Sequence, residues 1–180
     1  MDTYSFSVMV DGIRYSSANL EDKLHEAGCD DGLIHAHGNY MAIDFDREAE
    51  SLESAVLSAI ENIENAGIGA RVSSINENVY VSLSDIAKLT GVTRQAISLY
   101  FKGKRNKSIN DEFPIPTHNL SSKNTLWRWS EVANWLAKNG KLEKRTADNA
   151  CMLERLNLAL LLRKPEDYGE SFQAHWQRFR

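Results

Sequence analysis

The sequence predicts an α+β protein made of two unlike halves. Three observations lead there. Residues 1–81 alternate strand and helix patterns, residues 82–138 carry a run of short helices with one hairpin signal, and the charge changes sign between them. Residues 1–81 hold 4 basic and 15 acidic side chains, a balance of −11. Residues 82–138 hold 9 and 4, or +5, and residues 139–180 hold 8 and 6, or +2. A polyanion is repelled by the first segment and attracted by the second. The overall charge of −4 conceals this.

Each element has a local reason. Tyr4, Phe6, Val8 and Val10 recur at period two, which predicts a strand over 3–10. Leu20, Leu24 and Ala27 share a helical face, with Gly28 as the stop. Residues 33–37 and 40–45 flank Gly38-Asn39, a hairpin signal. Between Ser51 and Ala66, Leu52, Ala55, Val56, Ala59, Ile60 and Ile63 make one apolar face. Residues 70–75 then read as a last strand. The order β-α-β-β-α-β resembles the ferredoxin-like sandwich, a fold that hosts many functions and names none.

From Ser82 the pattern changes. Ser82 and Asp85 suit a helix start. Ile86 and Ala87 supply a buried pair, Ala87 being small where a second helix crosses. Gly91 suits a turn that needs positive φ, Val92 plugs the core, and Thr93 suits the cap of a second helix. Ile97 packs back on the first helix. This spacing predicts a helix-turn-helix, whose second helix offers Thr93, Arg94, Gln95 and Ser98 to base edges in a major groove. Arginine pairs bidentately with guanine and glutamine with adenine. Lys102, Lys104, Arg105 and Lys107 suit phosphates.

Phe113-Pro114-Ile115-Pro116 then suits an edge strand. The polar stretch His118 to Asn124, ahead of Leu126-Trp127, suits a hairpin wing near 117–125. Ser130 suits the cap of a helix carrying Val132, Trp135 and Leu136. Residues 82–136 as a whole, and above all Phe113-Pro114-Ile115-Pro116 followed by Leu126-Trp127-Arg128-Trp129-Ser130-Glu131-Val132 and Trp135-Leu136, resemble the winged helix-turn-helix of the MerR, AlpA and phage excisionase group. The resemblance implies binding to double-stranded DNA. Arg94, Gln95 and Ser98 would read bases, and Lys123, Asn124 and Arg128 would approach backbone or minor groove. MerR sensors carry an effector domain after the DNA-binding head. Here the extra domain precedes it.

The segment 139–180 is expected to be helical. Leu153, Leu156 and Leu160, widened by Leu158, Leu161 and Leu162, make a stripe suited to a homodimer, as palindrome-binding proteins use. Lys164-Pro165 ends that helix, and a short helix is expected from Glu166 to Arg178. Three domains follow: an acidic ferredoxin-like domain 1–81, a winged helix-turn-helix 82–138, and a dimerisation segment 139–180.

Weaker patterns carry less. His35 and His37 share a strand face, and Cys29-Asp30-Asp31 lies nearby, yet no second matched ligand pair accompanies them. Asp44 and Asp46 share a face without a nucleophile pattern and read as a solvated acidic edge. No catalytic, metal or cofactor site is expected. Cys29 and Cys151 do not make a disulfide framework, and the start Met1-Asp2-Thr3-Tyr4 lacks the features of a signal peptide. The expectation is a cytoplasmic, non-enzymatic DNA-binding protein, a bacterial or prophage transcriptional regulator. The alternatives are the DNA-binding subunit of a toxin–antitoxin or phage-defence module, an excisionase-like architectural factor, and an adaptor that no longer touches DNA. The acidic front could be a soluble surface, bind a basic partner, or compete with DNA for the basic head.

Overall fold

The computed structural model describes residues 1–13, 19–37, 40–75, 79–104, 112–118 and 125–163. They form two compact units. One comprises the described residues of Met1–Glu77 and Arg155–Arg180, the other Asn78–Glu154.

The first unit is built on a four-stranded antiparallel sheet of β1 (Asp2–Asp11), β2 (Gly32–His37), β3 (Tyr40–Ala49) and β4 (Arg71–Ile75), in the order β2-β3-β1-β4. Helix α1 (Leu20–Glu26) follows β1, and α2 (Leu52–Asn65) follows β3, so the chain order is that read from the sequence. Alternation decides the two faces. Phe6, Val8, Val10, Met41, Ile43 and Phe45 are buried. Asp44 and Asp46, one residue out of phase, are exposed. Ser5 donates to Asp46 at 2.5 Å, and Ser7 donates to Asp44. Helix α2 starts at a capping box in which the Ser51 and Ser54 hydroxyls each accept the other residue's backbone N–H. It buries Ala55, Val56, Ala59, Ile60 and Ile63 as its pattern requires.

One core contact of this unit has no local signature. Arg47, on β3, is a buried cation at 7% exposure. Its Nε and Nη2 donate to the two carboxylate oxygens of Asp31, both at 2.7 Å. Nη2 also reaches the Gly28 carbonyl at 2.8 Å, and Nη1 the Ser58 hydroxyl at 3.1 Å. Satisfying a guanidinium on all sides is what makes its burial tolerable. The bidentate contact raises the Arg47 pKa, against the opposing effect of burial. Beside it, burial pushes the Cys29 thiol up to about 11. That thiol is protonated and inert near neutrality.

The second unit contains α3 (Leu83–Thr90), α4 (Arg94–Phe101), α5 (Trp129–Lys138), the start of α6 (Lys144–Leu161) and a small sheet of β5 (Tyr80–Val81) with β6 (Trp127–Arg128). Its core gathers Val81, Ile86, Ile97, Tyr100, Trp127, Val132, Trp135 and Leu136, with Leu83, Val92, Phe113, Trp129 and Leu142 packed against it. Trp127 is fully buried, and Phe101 meets it edge-on at 5.1 Å. Phe113 meets both Trp127 and Trp135.

Four expectations need correction. Tyr80 and Val81 belong with the second unit, because they pair with Arg128 and Trp127. Phe113–Pro116 forms no strand. The Pro114 carbonyl instead accepts the buried indole N–H of Trp127 at 3.1 Å. Ser130 does not cap α5, which begins one residue earlier with Arg128 in the cap position. The Ser130 hydroxyl donates to Glu154 at 2.5 Å. The expected 139–180 segment is not a unit by itself: α6 residues up to Glu154 belong to the second unit, and those from Arg155 to the first. The expected helix Glu166 to Arg178 lies outside the described residues. None of the helices among the described residues is long and apolar enough to cross a membrane.

Candidate nucleic-acid interface

The site begins with how α3 is held. The Ser82 hydroxyl accepts the Asp85 N–H at 3.3 Å, and the Asp85 carboxylate accepts the Ser82 N–H at 3.0 Å and its hydroxyl at 2.7 Å. The hydrogen bonds from Ser82 hold the Asp85 carboxyl below its usual range. The helix ends at Gly91, whose φ of +69° is the left-handed conformation the turn demands. A Cβ there would meet nothing within 4 Å, so the requirement is conformational and not steric crowding.

Two residues further on, the Thr93 hydroxyl accepts the Ala96 N–H at 3.2 Å and starts α4. Ala96, Ile97 and Tyr100 face the core. Arg94, Gln95 and Lys102 are exposed and Ser98 is half-buried. Spacings of three and four place these four residues on one stripe, opposite the buried one. The end of α4 is fixed as well. Gly103 adopts φ +63°, its N–H bonds the Tyr100 carbonyl at 3.0 Å, and the Lys104 N–H bonds the Leu99 carbonyl at 2.9 Å. This is a Schellman closure. The sequence shows only a basic linker after Lys102, whereas the backbone is set through Lys104.

Of the expected wing, the described residues contain one isolated bridge. His118 bridges Leu126 in antiparallel fashion, and the Tyr80 ring meets the His118 ring at 4.8 Å. The tip with Lys123 and Asn124 lies outside the described residues, as do Arg105 and Lys107.

Arg128 lies on β6, and its charge is already engaged. Its Nε donates to Glu154 at 2.6 Å, and Nη1 lies 3.7 Å from Glu131. Glu154 is the residue that sequence reading missed. It sits on α6, 26 residues from Arg128, and takes both Arg128 and Ser130. The hydrogen bond from Arg128 to Glu154 raises the Arg128 pKa. Arg94, Gln95, Lys102 and Lys104 meet no ion-pair or hydrogen-bond partner for their side chains among the described residues.

The weaker patterns of the first unit are placed too. His35 Nε2 lies 2.9 Å from Asp44, Asp31 is held by Arg47, and Cys29 is buried. Among the described residues no three His, Cys, Asp or Glu side chains gather as a metal would require. No family model matches the chain, nor does any curated protein or any solved structure.

Proposed function

We propose that the second unit is a winged helix-turn-helix that binds double-stranded DNA, with α4 as its recognition helix. The observation that carries this reading is the polar stripe of α4. Thr93 starts it, Arg94 and Gln95 stand exposed in its first turn, and Lys102 and Lys104 continue it on a backbone fixed at both ends. A recognition helix in the major groove presents its N-terminal residues to base edges. The division of labour follows: Lys102 and Lys104 contact phosphates and set affinity, and Arg94 and Gln95 set sequence. Arg105, Lys107, Lys123 and Asn124 extend the phosphate contacts in the same reading. Arg128 does not belong among the free contacts, since Glu154 holds it.

The strand order and pairing of the first unit support a ferredoxin-like domain, and the whole fits a cytoplasmic, non-enzymatic regulator that acts as a homodimer. The half-exposed Leu158, Leu161 and Leu162 at the end of α6 are the residues through which a second copy would pack.

Selection from random-sequence duplexes by the full chain at two salt concentrations tests the reading. An enriched motif and affinity falling steeply with salt are expected. Arg94→Ala then costs about 1–3 kcal/mol and relaxes one position of the motif. Lys104→Ala weakens all sequences alike and lowers the salt slope by about one. Absence of binding at low salt overturns the DNA reading. Equal loss on every sequence with Arg94→Ala removes its base-reading role alone.

A further inference from the structure

The two edges of the sheet in the first unit are treated differently. At the β4 edge, side chains stand in for a missing strand. The Asn157 carboxamide accepts the Ile75 N–H at 2.7 Å and donates to the Ile75 carbonyl at 3.1 Å, the two-bond exchange a neighbouring strand would make. The Val72 N–H is taken by Glu64 at 3.2 Å, and Arg163 holds Glu64 at 2.7 Å. This edge is closed to a further strand.

Among the described residues the β2 edge has none of these devices. Leu33–Ala36 pair with β3 on one side only. Their backbone groups on the other side meet no partner among the described residues. Gly32–His37 contains no proline, lysine or arginine, the residues that ordinarily blunt an exposed edge. Leu33 is 63% exposed, and His35 and Ala36 are exposed beside it. An added strand would lie about 4.8 Å from β2 and find the same backbone ladder that β3 supplies.

Charge says what kind of strand fits. Exposed Asp30 lies just before β2, and exposed Asp44 stands opposite Leu33 on β3, followed by exposed Asp46. The hydroxyls of Ser7 and Ser5 that bond Asp44 and Asp46 are neutral, and of the two only Asp44 has an ion-pair neighbour among the described residues, His35. Arg47, on the neighbouring β3, is buried and spent on Asp31. A second copy would bring the same carboxylates into this surface and be repelled. A basic segment would be attracted. We infer that the β2 edge is a docking strand for an extended, basic segment of a partner protein, joined by backbone pairing to β2 and drawn in by Asp30, Asp44 and Asp46. The inference is independent of the DNA reading, which concerns the other unit.

The test uses the full isotope-labelled chain and two synthetic octapeptides, one alternating valine with lysine, the other valine with glutamate. The lysine peptide is expected to shift the backbone amide resonances of Leu33–Ala36 and slow their exchange, with the glutamate peptide at least tenfold weaker. Asp30→Asn with Asp44→Asn should weaken the lysine peptide at least threefold while leaving the circular dichroism spectrum intact. Both aspartates are exposed, and the contacts of Asp44 with Ser7 and His35 lie at the surface, so the spectrum checks that the sheet survives their loss. Equal binding of the two peptides, shifts confined to residues outside β2 and its flanks, or no shift with millimolar lysine peptide overturns the inference. So does self-association through β2, which would name a second copy as the occupant.

Discussion

The two units use arginine in opposite ways. In the first, Arg47 points into the fold and is consumed there, taken by Asp31, Gly28 and Ser58. In the second, Arg94 points out from a helix whose other face is buried, and the core beneath is aromatic and aliphatic instead of ionic. The acidic unit thus hides a cation among exposed carboxylates, whereas the basic unit builds a neutral core, holds Arg128 through Glu154 and leaves Arg94, Lys102 and Lys104 exposed. A net charge per segment is therefore a poor guide to which charges are available to a partner. The residues that remain free decide that.

The core of the second unit gives the largest expected effect. Trp127 is fully buried, contacts Phe101 and Phe113, and donates to the Pro114 carbonyl. Trp127→Ala should cost about 3–5 kcal/mol through the cavity alone, and the orphaned carbonyl adds to it. Trp129 and Trp135 lie in the same unit, so tryptophan fluorescence in a denaturant titration reports the loss. A shift under 1 kcal/mol would mean that the aromatic cluster does not organise this unit.

Arg47→Met tests the opposite arrangement. It keeps much of the bulk and removes the charge, leaving Asp31, 27% exposed, without its partner. Breaking a buried pair costs about 3–5 kcal/mol, and water reaching Asp31 reduces this to about 2–3 kcal/mol. Amide exchange in β3 and α2 is the readout. Restoring stability by adding Asp31→Asn would show that the uncompensated carboxylate, and not lost packing, carries the cost.

These two residues also show how far the sequence was legible. Trp127 sits in an apolar pattern with local meaning, and the strands and helices around both cores follow from periodicities of two and about 3.6 together with glycine stops. Arg47 does not announce itself. It takes a buried position in the alternation of β3 where Met41, Ile43 and Phe45 are apolar, so the pattern reads as a strand end, and its partner lies 16 residues away across a hairpin. Asn157 and Glu154 are of the same kind, closing contacts 82 and 26 residues distant. Ser130 was misread because a serine before an apolar helical run satisfies the local rule for a cap, and only the distant Glu154 reveals where its hydroxyl goes. The local geometry of α3 and α4 was more legible, since the turn at Gly91, the cap at Thr93 and the exposure of Arg94 and Gln95 depend on neighbours within one turn.

Glu154→Gln sharpens the comparison between held and free arginines. It should cost about 1–2 kcal/mol, modest because the Arg128 side chain is 37% exposed and recovers water. Thermal unfolding followed by tryptophan fluorescence measures it. A neutral result would mean that Arg128 is no better anchored than Arg94, and would return it to the candidate phosphate contacts.

Gly91→Ala isolates the turn. Because space is open around the missing Cβ, the penalty is the left-handed conformation itself, about 1 kcal/mol. A larger loss would reveal that Thr93 and α4 shift with the turn.

The smallest expected effect comes from pH. Asp85 titrates below its ordinary value because Ser82 bonds its carboxylate form, from the hydroxyl and from the backbone N–H. A carboxyl with a depressed folded-state pKa binds its proton more readily unfolded. Its contribution is therefore fully present above the unfolded value of about 3.9 and disappears as pH falls through the lower folded value. Asp85→Asn removes this dependence while keeping a group able to accept from Ser82. The difference in stability between the two proteins should therefore be constant at neutral pH and shrink below about pH 4. The acidic unit supplies the background against which this is read. Its exposed carboxylates titrate in both proteins alike and cancel in the difference, so any residual slope near neutrality would have to come from a second titrating group beside Asp85.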